Sequence, residues 1–312
     1  MEIPGTADVV VIGGGPAGSL ASTVLAHKGH DVVMLEKMSH PRPHVGESLI
    51  PDFWKYADLM KVTEKLESEG FLAKSGAVVS WDGHVRAHSF GDFGYTRSAM
   101  HVERDRFDQI LFDHAGSEGV HTFENVAVSG AEFFVDESTG LESARVSVKP
   151  TGGEASSIDC RYVVDASGQT AVLGRQLGVR HIDDAFRFLS IWGYWEGSRY
   201  LGIDGVAHDE AEIGDARPAT FLSSLDEAGD SGWSWHIRLR DETSVGLVLP
   251  LDLIKSARGP GESWASFYER TCREVPVLSD LLADATLRPD SVESVRDYSY
   301  QSTAVAGPGW FL

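Results

Sequence analysis

The feature that most restricts this chain is a run of glycines set directly behind a β-branched stretch. Val9, Val10, Val11 and Ile12 read as a short strand buried on both faces of a parallel sheet, and Gly13-Gly14-Gly15-Pro16-Ala17-Gly18 follows with no spacer. Gly13 permits a tight turn out of the strand, Gly15 leaves the backbone bare for an approaching phosphate, and Gly18 lets the next helix lie close to the sheet. Residues 19–28 have helical composition, with Gly29 as the cap. Residues 32–35 make a second strand that ends at Glu36, followed by Lys37. An acid roughly 20 residues past such glycines can bind ribose hydroxyls, while the pyrophosphate sits on the helix N-terminus. The glycines alone fit an incidental turn, but that turn would not require the acid. The whole pattern predicts a dinucleotide-binding βαβ unit, and Glu36 disfavours a cofactor carrying a 2′-phosphate.

At 312 residues the chain can bury a core large enough for two domains or one interleaved one. Its 27 basic against 47 acidic residues give a net charge of −20, which argues against nucleic acid and anionic membrane as partners. No run is long enough to span a membrane and no basic-then-apolar leader opens the chain, so a cytoplasmic location is expected. Cys160 and Cys272 are expected to be reduced and buried. The 12 histidines show no ligand spacing, so no metal is expected.

After the second strand, residues 41–49 (Pro-Arg-Pro-His-Val-Gly-Glu-Ser-Leu) hold two prolines and a glycine, which predicts a shaped loop near the site rather than a helix. A plain surface connector is the other reading. Residues 51–69 follow as one or two helices. Residues 76–81 read as a strand with an Asp82-Gly83 turn into a second one, and Lys74 stands at the head of this hairpin. By composition alone Lys74 is a solvated amine. Residues 101–115 read as a helix with Arg104 near its start, and residues 121–135 and 144–149 as strands of a smaller sheet. A parallel-type strand returns at Tyr162-Val163-Val164. The turn Asp165-Ala166-Ser167-Gly168 behind it could lay backbone against a cofactor, or be a strand-to-helix turn without a ligand.

Between residues 186 and 250 the pattern becomes one of short aromatic-rich strands, implying an antiparallel sheet distinct from the opening one. Such a sheet over a cofactor edge makes an apolar pocket for a small organic ligand. Trp233 and Trp235 share one face of a strand, as site walls or as core. Residues 262–285 look helical, and residues 304–312 begin another apolar strand. The expected fold is α/β: a Rossmann-type domain with a parallel sheet (residues 1–70, 96–180 and 300–312) interleaved with an antiparallel-sheet substrate domain (residues 71–95 and 181–299).

These features together resemble the flavin-dependent halogenases, within the FAD-dependent aromatic monooxygenase class. Gly13, Gly15, Gly18 and Glu36 match the FAD motif, and Gly46-Glu47-Ser48 looks like the flavin-contacting loop. Lys74 with Ser75-Gly76-Ala77 resembles the segment bearing the family's essential lysine. Trp233-Ser234-Trp235-His236-Ile237 resembles the W-x-W-x-I-P signature, with Arg238 where proline is usual. Arg104 resembles the arginine that packs on FAD in related hydroxylases. The resemblance implies further residues beyond Leu312, so the C-terminal part of the family fold is expected to be missing. Pro16 and Ser19 resemble the branch acting on phenols or on carrier-tethered pyrrolyl and phenolic groups.

The activity implied is FADH2- and O2-dependent chlorination or bromination of an electron-rich ring, in natural-product biosynthesis. A separate NADH-dependent flavin reductase would supply reduced FAD, and halide and O2 would be co-substrates. A flavin hydroperoxide would oxidise halide to hypohalous acid, which Lys74 would present to the ring, with Trp233 and Trp235 walling the ring from the flavin. Pro16, Ala17, Lys37 and Asp165 complete the expected cofactor-binding set. Two alternatives stand beside this: a flavin monooxygenase or reductase that does not need Lys74, and a non-catalytic flavin-binding fragment.

Overall fold

A computed structural model describes residues 2–226 and 232–312. The chain opens with β1 (Thr6–Ile12), α1 (Pro16–His27) and β2 (Val32–Leu35), as the glycine pattern requires. A long loop leads to helices α2 (Trp54–Met60) and α3 (Thr63–Glu69). Four strands follow: β3 (Leu72–Lys74), β4 (Gly76–Trp81), β5 (His84–Ser89) and β6 (Ala99–His101). The chain returns through α4 (Arg104–Ser117), β7 (His121–Phe123), β8 (Val126–Val135), β9 (Glu142–Pro150), β10 (Ser156–Asp165) and α5 (Val172–Gln176).

The second half begins with β11 (Arg180–His181), β12 (Phe188–Glu196) and a small hairpin of β13 (Tyr200–Leu201) and β14 (Ala207–His208). Then come β15 (Thr220–Ser224), β16 (Trp233–Arg238) and β17 (Thr243–Pro250). Helices α6 (Leu251–Ala257), α7 (Trp264–Glu274) and α8 (Pro276–Leu281) precede β18 (Thr286–Leu287) and β19 (Glu293–Arg296). The last strands are β20 (Gln301–Ser302), β21 (Ala306–Gly307) and β22 (Trp310–Phe311).

In the first sheet β22, β10, β1, β2 and β7 run parallel, with Val9–Ile12 in register against both Val32–Leu35 and Tyr162–Asp165. Alternation along β1 explains its all-apolar sequence. Val9 and Val11 pack with Phe112 and Ala115 of α4, while Val10 and Ile12 face Val146, Ile158 and Trp310.

Three expectations need correction. Residues 121–135 and 144–149 do not form a separate smaller sheet. The strand β7 pairs with β2, and the β8–β9 hairpin extends the first sheet because β9 pairs with the N-terminal half of β10. Ten residues make β10 long enough to serve β9 with one half and β22 with the other. Helix α4 starts at Arg104, not His101. His101 belongs to β6, where its backbone pairs with Leu72 and bridges to Ser48. Residues 304–312 are not one strand, since Gly307-Pro308-Gly309 folds them into the β21–β22 hairpin.

The second sheet runs β18-β12-β17-β16-β15-β4-β5 and is antiparallel except where β15 joins β4 in parallel, Thr220 opposite Ala77. The Asp82-Gly83 turn is as expected, both residues having positive φ (52° and 70°), which suits a two-residue hairpin. One face of this sheet packs on α6, α7 and α8 through Ile191, Phe221, Leu247, Phe267 and Leu278. The other gathers Trp192, Trp235, Ile237 and Leu222, and receives Val45 from the loop after β2. That contact brings the two sheets to one place.

Candidate functional site

The glycine turn forms an open cradle. A Cβ at Gly18 would stand 1.9 Å from the Gly13 carbonyl oxygen, and one at Gly13 would stand 2.4 Å from that of Ala166, so both glycines are required by close packing. Gly15 differs: a Cβ there meets only Arg42 Nη2, at 3.6 Å. Gly15 also caps α1 without any side-chain bond, which leaves the helix start available to an anion. Pro16 and Ala17 form the first turn of α1. Glu36 is buried; its Oε2 accepts from the Gly14 N–H (2.9 Å) and its Oε1 from the Met38 N–H (3.0 Å).

Arg42, from the Pro-Arg-Pro segment, is a participant that sequence reasoning missed. Among the described residues its buried guanidinium makes only long contacts, 3.4 Å each to Glu36 and Asp108, and its Nε has no partner. A buried cation with an unpartnered donor beside a bare glycine and an uncapped helix start fits an anionic phosphate.

The 46–48 loop is laid along β6 by backbone bonds, Leu49 N–H to Met100 O (3.0 Å) and Val102 N–H to Glu47 O (2.8 Å). Gly46 has φ +108°, and a Cβ on it would approach Arg104 Nη1 to 2.9 Å. Arg104 donates to Val45 O (2.9 Å) and Gly46 O (3.3 Å) and grips Asp108 with Nε (2.8 Å) and Nη2 (3.0 Å). It holds the loop in place. Glu47 is buried and accepts from the Gly46 N–H (2.9 Å) and the Tyr194 hydroxyl (3.0 Å). Burial pushes its carboxyl above the usual range.

Lys74 is not the solvated amine that composition suggests: it is 2% exposed. Its Nζ donates to Ser48 Oγ (2.6 Å) and Thr220 Oγ1 (3.1 Å) and lies 5.3 Å from the Phe90 ring centre. Among the described residues it has no carboxylate as partner, and burial lowers its pKa to about 8. Ser48 and Thr220 are 2.7 Å apart, and Thr220 lies 2.9 Å from His101 Nε2, whose Nδ1 reaches the Arg238 carbonyl at 2.8 Å. Thr220 and His101 were not singled out from the sequence, where nothing links residues 146 positions apart.

Trp233 and Trp235 do share a face, ring centres 5.9 Å apart, beside Val45 and Tyr194. Trp235 donates to Ser244 Oγ (3.1 Å) and lies flat on Gly246, where a Cβ would meet the indole at 2.1 Å. Arg238, in place of the usual proline, is fully buried and donates to Glu210 Oε1 (2.8 Å). Two expected cofactor residues lie differently. Asp165 ties its own turn, accepting from the Ser167 (3.0 Å) and Leu173 (2.7 Å) N–H groups, and Lys37 donates to Thr170 Oγ1 (3.1 Å). A cleft of about 610 Å³ lined by Arg187, Pro250, Trp264 and Arg296 includes none of these residues. Among the described residues no His/Cys/Asp/Glu group is arranged for a metal, and no helix is long and apolar enough to cross a membrane.

The βαβ cradle and the loop over it define a flavoprotein, and the family described as "FAD binding domain" matches residues 6–193: the chain belongs to that family. Its relatives include flavin-dependent halogenases. The chain is 35% identical over 315 residues to the tryptophan 2-halogenase of Chondromyces crocatus, covering all of this chain and 56% of the relative. It is 34% identical to a flavin-dependent halogenase of Armillaria mellea (100% and 60%) and 32% identical to the sulochrin halogenase of Aspergillus terreus (99% and 58%). The chain thus spans little more than half the length of these relatives. Among solved structures it superposes on the myxobacterial chondrochloren halogenase with a TM-score of 0.83 at 26% identity, over 99% of this chain and 68% of that one. The flavin-dependent halogenase CmlS gives 0.82 at 28%, over 98% and 52%.

Proposed function

We propose that this chain is the flavin-binding and lysine-bearing portion of a halogenase acting on electron-rich aromatic rings. The observation that carries this reading is Lys74: a buried amine hydrogen-bonded to Ser48 of the 46–48 loop and, among the described residues, without an acid partner. When bound, reduced FAD supplies two electrons to O2 and so the oxidising power that converts halide to hypohalous acid.

Gly15, the α1 N-terminus and Arg42 would hold the pyrophosphate, and Glu36 the ribose. Residues 46–48, fixed by Arg104 and Glu47, would border the isoalloxazine. A pKa near 8 leaves about a tenth of Lys74 neutral at pH 7, against well under a thousandth for a free lysine. The neutral nitrogen can take electrophilic halogen from hypohalous acid: the N–halogen bond forms as the O–halogen bond breaks, and the departing hydroxide takes the amine proton as water. Free hypohalous acid attacks indiscriminately, and a single held amine confers position. Trp233 and Trp235 would keep the ring from direct oxygen transfer. A separate flavin reductase, halide and O2 would complete the system.

The names of the relatives include both tryptophan and sulochrin, so the test uses a panel of indoles, phenols and carrier-bound pyrroles. With the chain continued to the full length of its relatives, mass spectrometry with FAD, a flavin reductase, NADH, O2 and bromide should give the paired-isotope bromine signature, absent in Lys74→Ala. A product that gains only oxygen would place the protein with the hydroxylases.

A further inference from the structure

We infer that His101 and Thr220 are positioning residues that fix the direction of hydrogen bonding around Lys74 and leave one corner of its nitrogen free for an electrophile. This rests on the reading of Lys74 given above.

The chain of bonds has a single consistent direction. A carbonyl oxygen only accepts, so His101 Nδ1, 2.8 Å from Arg238 O, must carry the proton. Full burial holds His101 well below its ordinary pKa, so the ring is neutral and Nε2 presents a lone pair. The single hydroxyl proton of Thr220 must then point at Nε2, 2.9 Å away. Toward Ser48 and Lys74, Thr220 has only lone pairs. Ser48 therefore donates to Thr220 (2.7 Å) and turns its own lone pair to Lys74 (2.6 Å). Both neighbours of Nζ are acceptors. In the neutral amine, with two N–H bonds, both are engaged and the nitrogen lone pair is left at the remaining corner; the Phe90 ring centre lies 5.3 Å from Nζ.

The charged groups on the surrounding elements make their hydrogen bonds elsewhere: Glu47 to Gly46 and Tyr194, Arg238 through Nη2 to Glu210, with its Nε and Nη1 unpartnered among the described residues, and His236 through Nε2 to Ser198 at 2.9 Å. Without the histidine anchor, the Thr220 hydroxyl could rotate and place its proton on the Lys74 lone pair, masking the amine without removing it.

The test needs neither flavin nor halide. Acetylation of Lys74 by acetic anhydride at pH 9.5, read by peptide mass spectrometry, is followed with a [13Cε]lysine NMR titration of the same protein. His101→Phe, which frees the Thr220 proton, and Thr220→Val, which leaves Ser48 without its acceptor and free to turn its own proton onto Nζ, should acetylate Lys74 at least fivefold more slowly than wild type. His101→Gln, whose amide can donate to Arg238 O and accept from Thr220, and Thr220→Ser should stay within twofold. Thr220→Val should also move the Lys74 titration to lower pH, because the ammonium loses an acceptor. Wild-type rates in both His101→Phe and Thr220→Val, with unchanged circular dichroism, would overturn the inference. Were His101→Phe not to fold, the Val and Ser variants at residue 220 decide it. Failure of the bromination assay with these effects intact would strike the halogenase reading alone.

Discussion

The cofactor cradle and the lysine site are built in opposite ways. The cradle is mostly backbone from one continuous stretch: glycines 13, 15 and 18, the first turn of α1, and Glu36 at the end of the next strand. The lysine site is a set of side chains anchored on one backbone carbonyl, with Ser48, Lys74, His101 and Thr220 drawn from four segments far apart in sequence and closed by bonds spanning up to 172 positions. The first is defined by what is absent, Cβ atoms and caps. The second is defined by which lone pair faces which proton. A backbone site of this kind tolerates change except at its bare points, whereas a network of single protons is sensitive at every member.

The largest effect expected is on chemistry alone. In the full-length protein Lys74→Ala should lower bromination at least a thousandfold while FAD affinity, read by fluorescence titration, changes by no more than twofold, because the glycine cradle lies outside the lysine network and the 46–48 loop, which shares Ser48 with it, is held by backbone bonds and Arg104. Joint loss of both would break the separation. Next, the cradle divides within itself. Gly15→Val should weaken FAD binding at least a hundredfold with little change in melting temperature, since the space at Gly15 is open but for Arg42. Gly18→Ala should lower the melting temperature by ten degrees or more, because its Cβ has no room.

A third effect sharpens the energetic contrast. Lys74 has a folded pKa of about 8, below its unfolded value of 10.5. The unfolded chain then binds more protons between those values, so stability rises with pH across that window. Below pH 8 the folded protein bears the full penalty. Lys74→Met should therefore raise stability by about 1–3 kcal/mol at pH 7, with the gain shrinking toward pH 10.5 in urea titrations. A destabilised Lys74→Met at pH 7 would show that the hydroxyl cage fully compensates burial. The smallest change expected is Glu47→Gln. An amide can still accept from Gly46 and bond to Tyr194, and the carboxyl is already displaced toward its neutral form, so a cost under about 1 kcal/mol is expected by thermal melting.

Legibility in the sequence follows the same division. The β1–α1–β2 unit, the β4–β5 hairpin and the strands β12, β15, β16 and β17 are set by local periodicity and turn residues, and were readable. The attachment of β7, β8 and β9 to the first sheet was not, because pairing partners are a non-local choice that strand composition does not record. His101 was assigned to the helix because its neighbours have helical composition, and only the pairing with Leu72 and Ser48 places it in a strand. Arg42 stood in plain view between two prolines, but nothing local says which charge lies over Gly15. Thr220 is one of many threonines until its strand is laid beside β4.

That parallel pairing of β15 with β4 has a consequence for folding. Contacts between residues so far apart carry the largest loop-closure cost and in general form after local ones. The nascent chain presents Lys74 as an ordinary protonated amine, inert toward electrophiles near neutral pH. On the proposed reading, its reactivity would arise only when Thr220 of β15 comes beside Ser48 and Lys74. The order of assembly would then work as a safeguard, keeping an activated amine from being exposed while the chain is still folding.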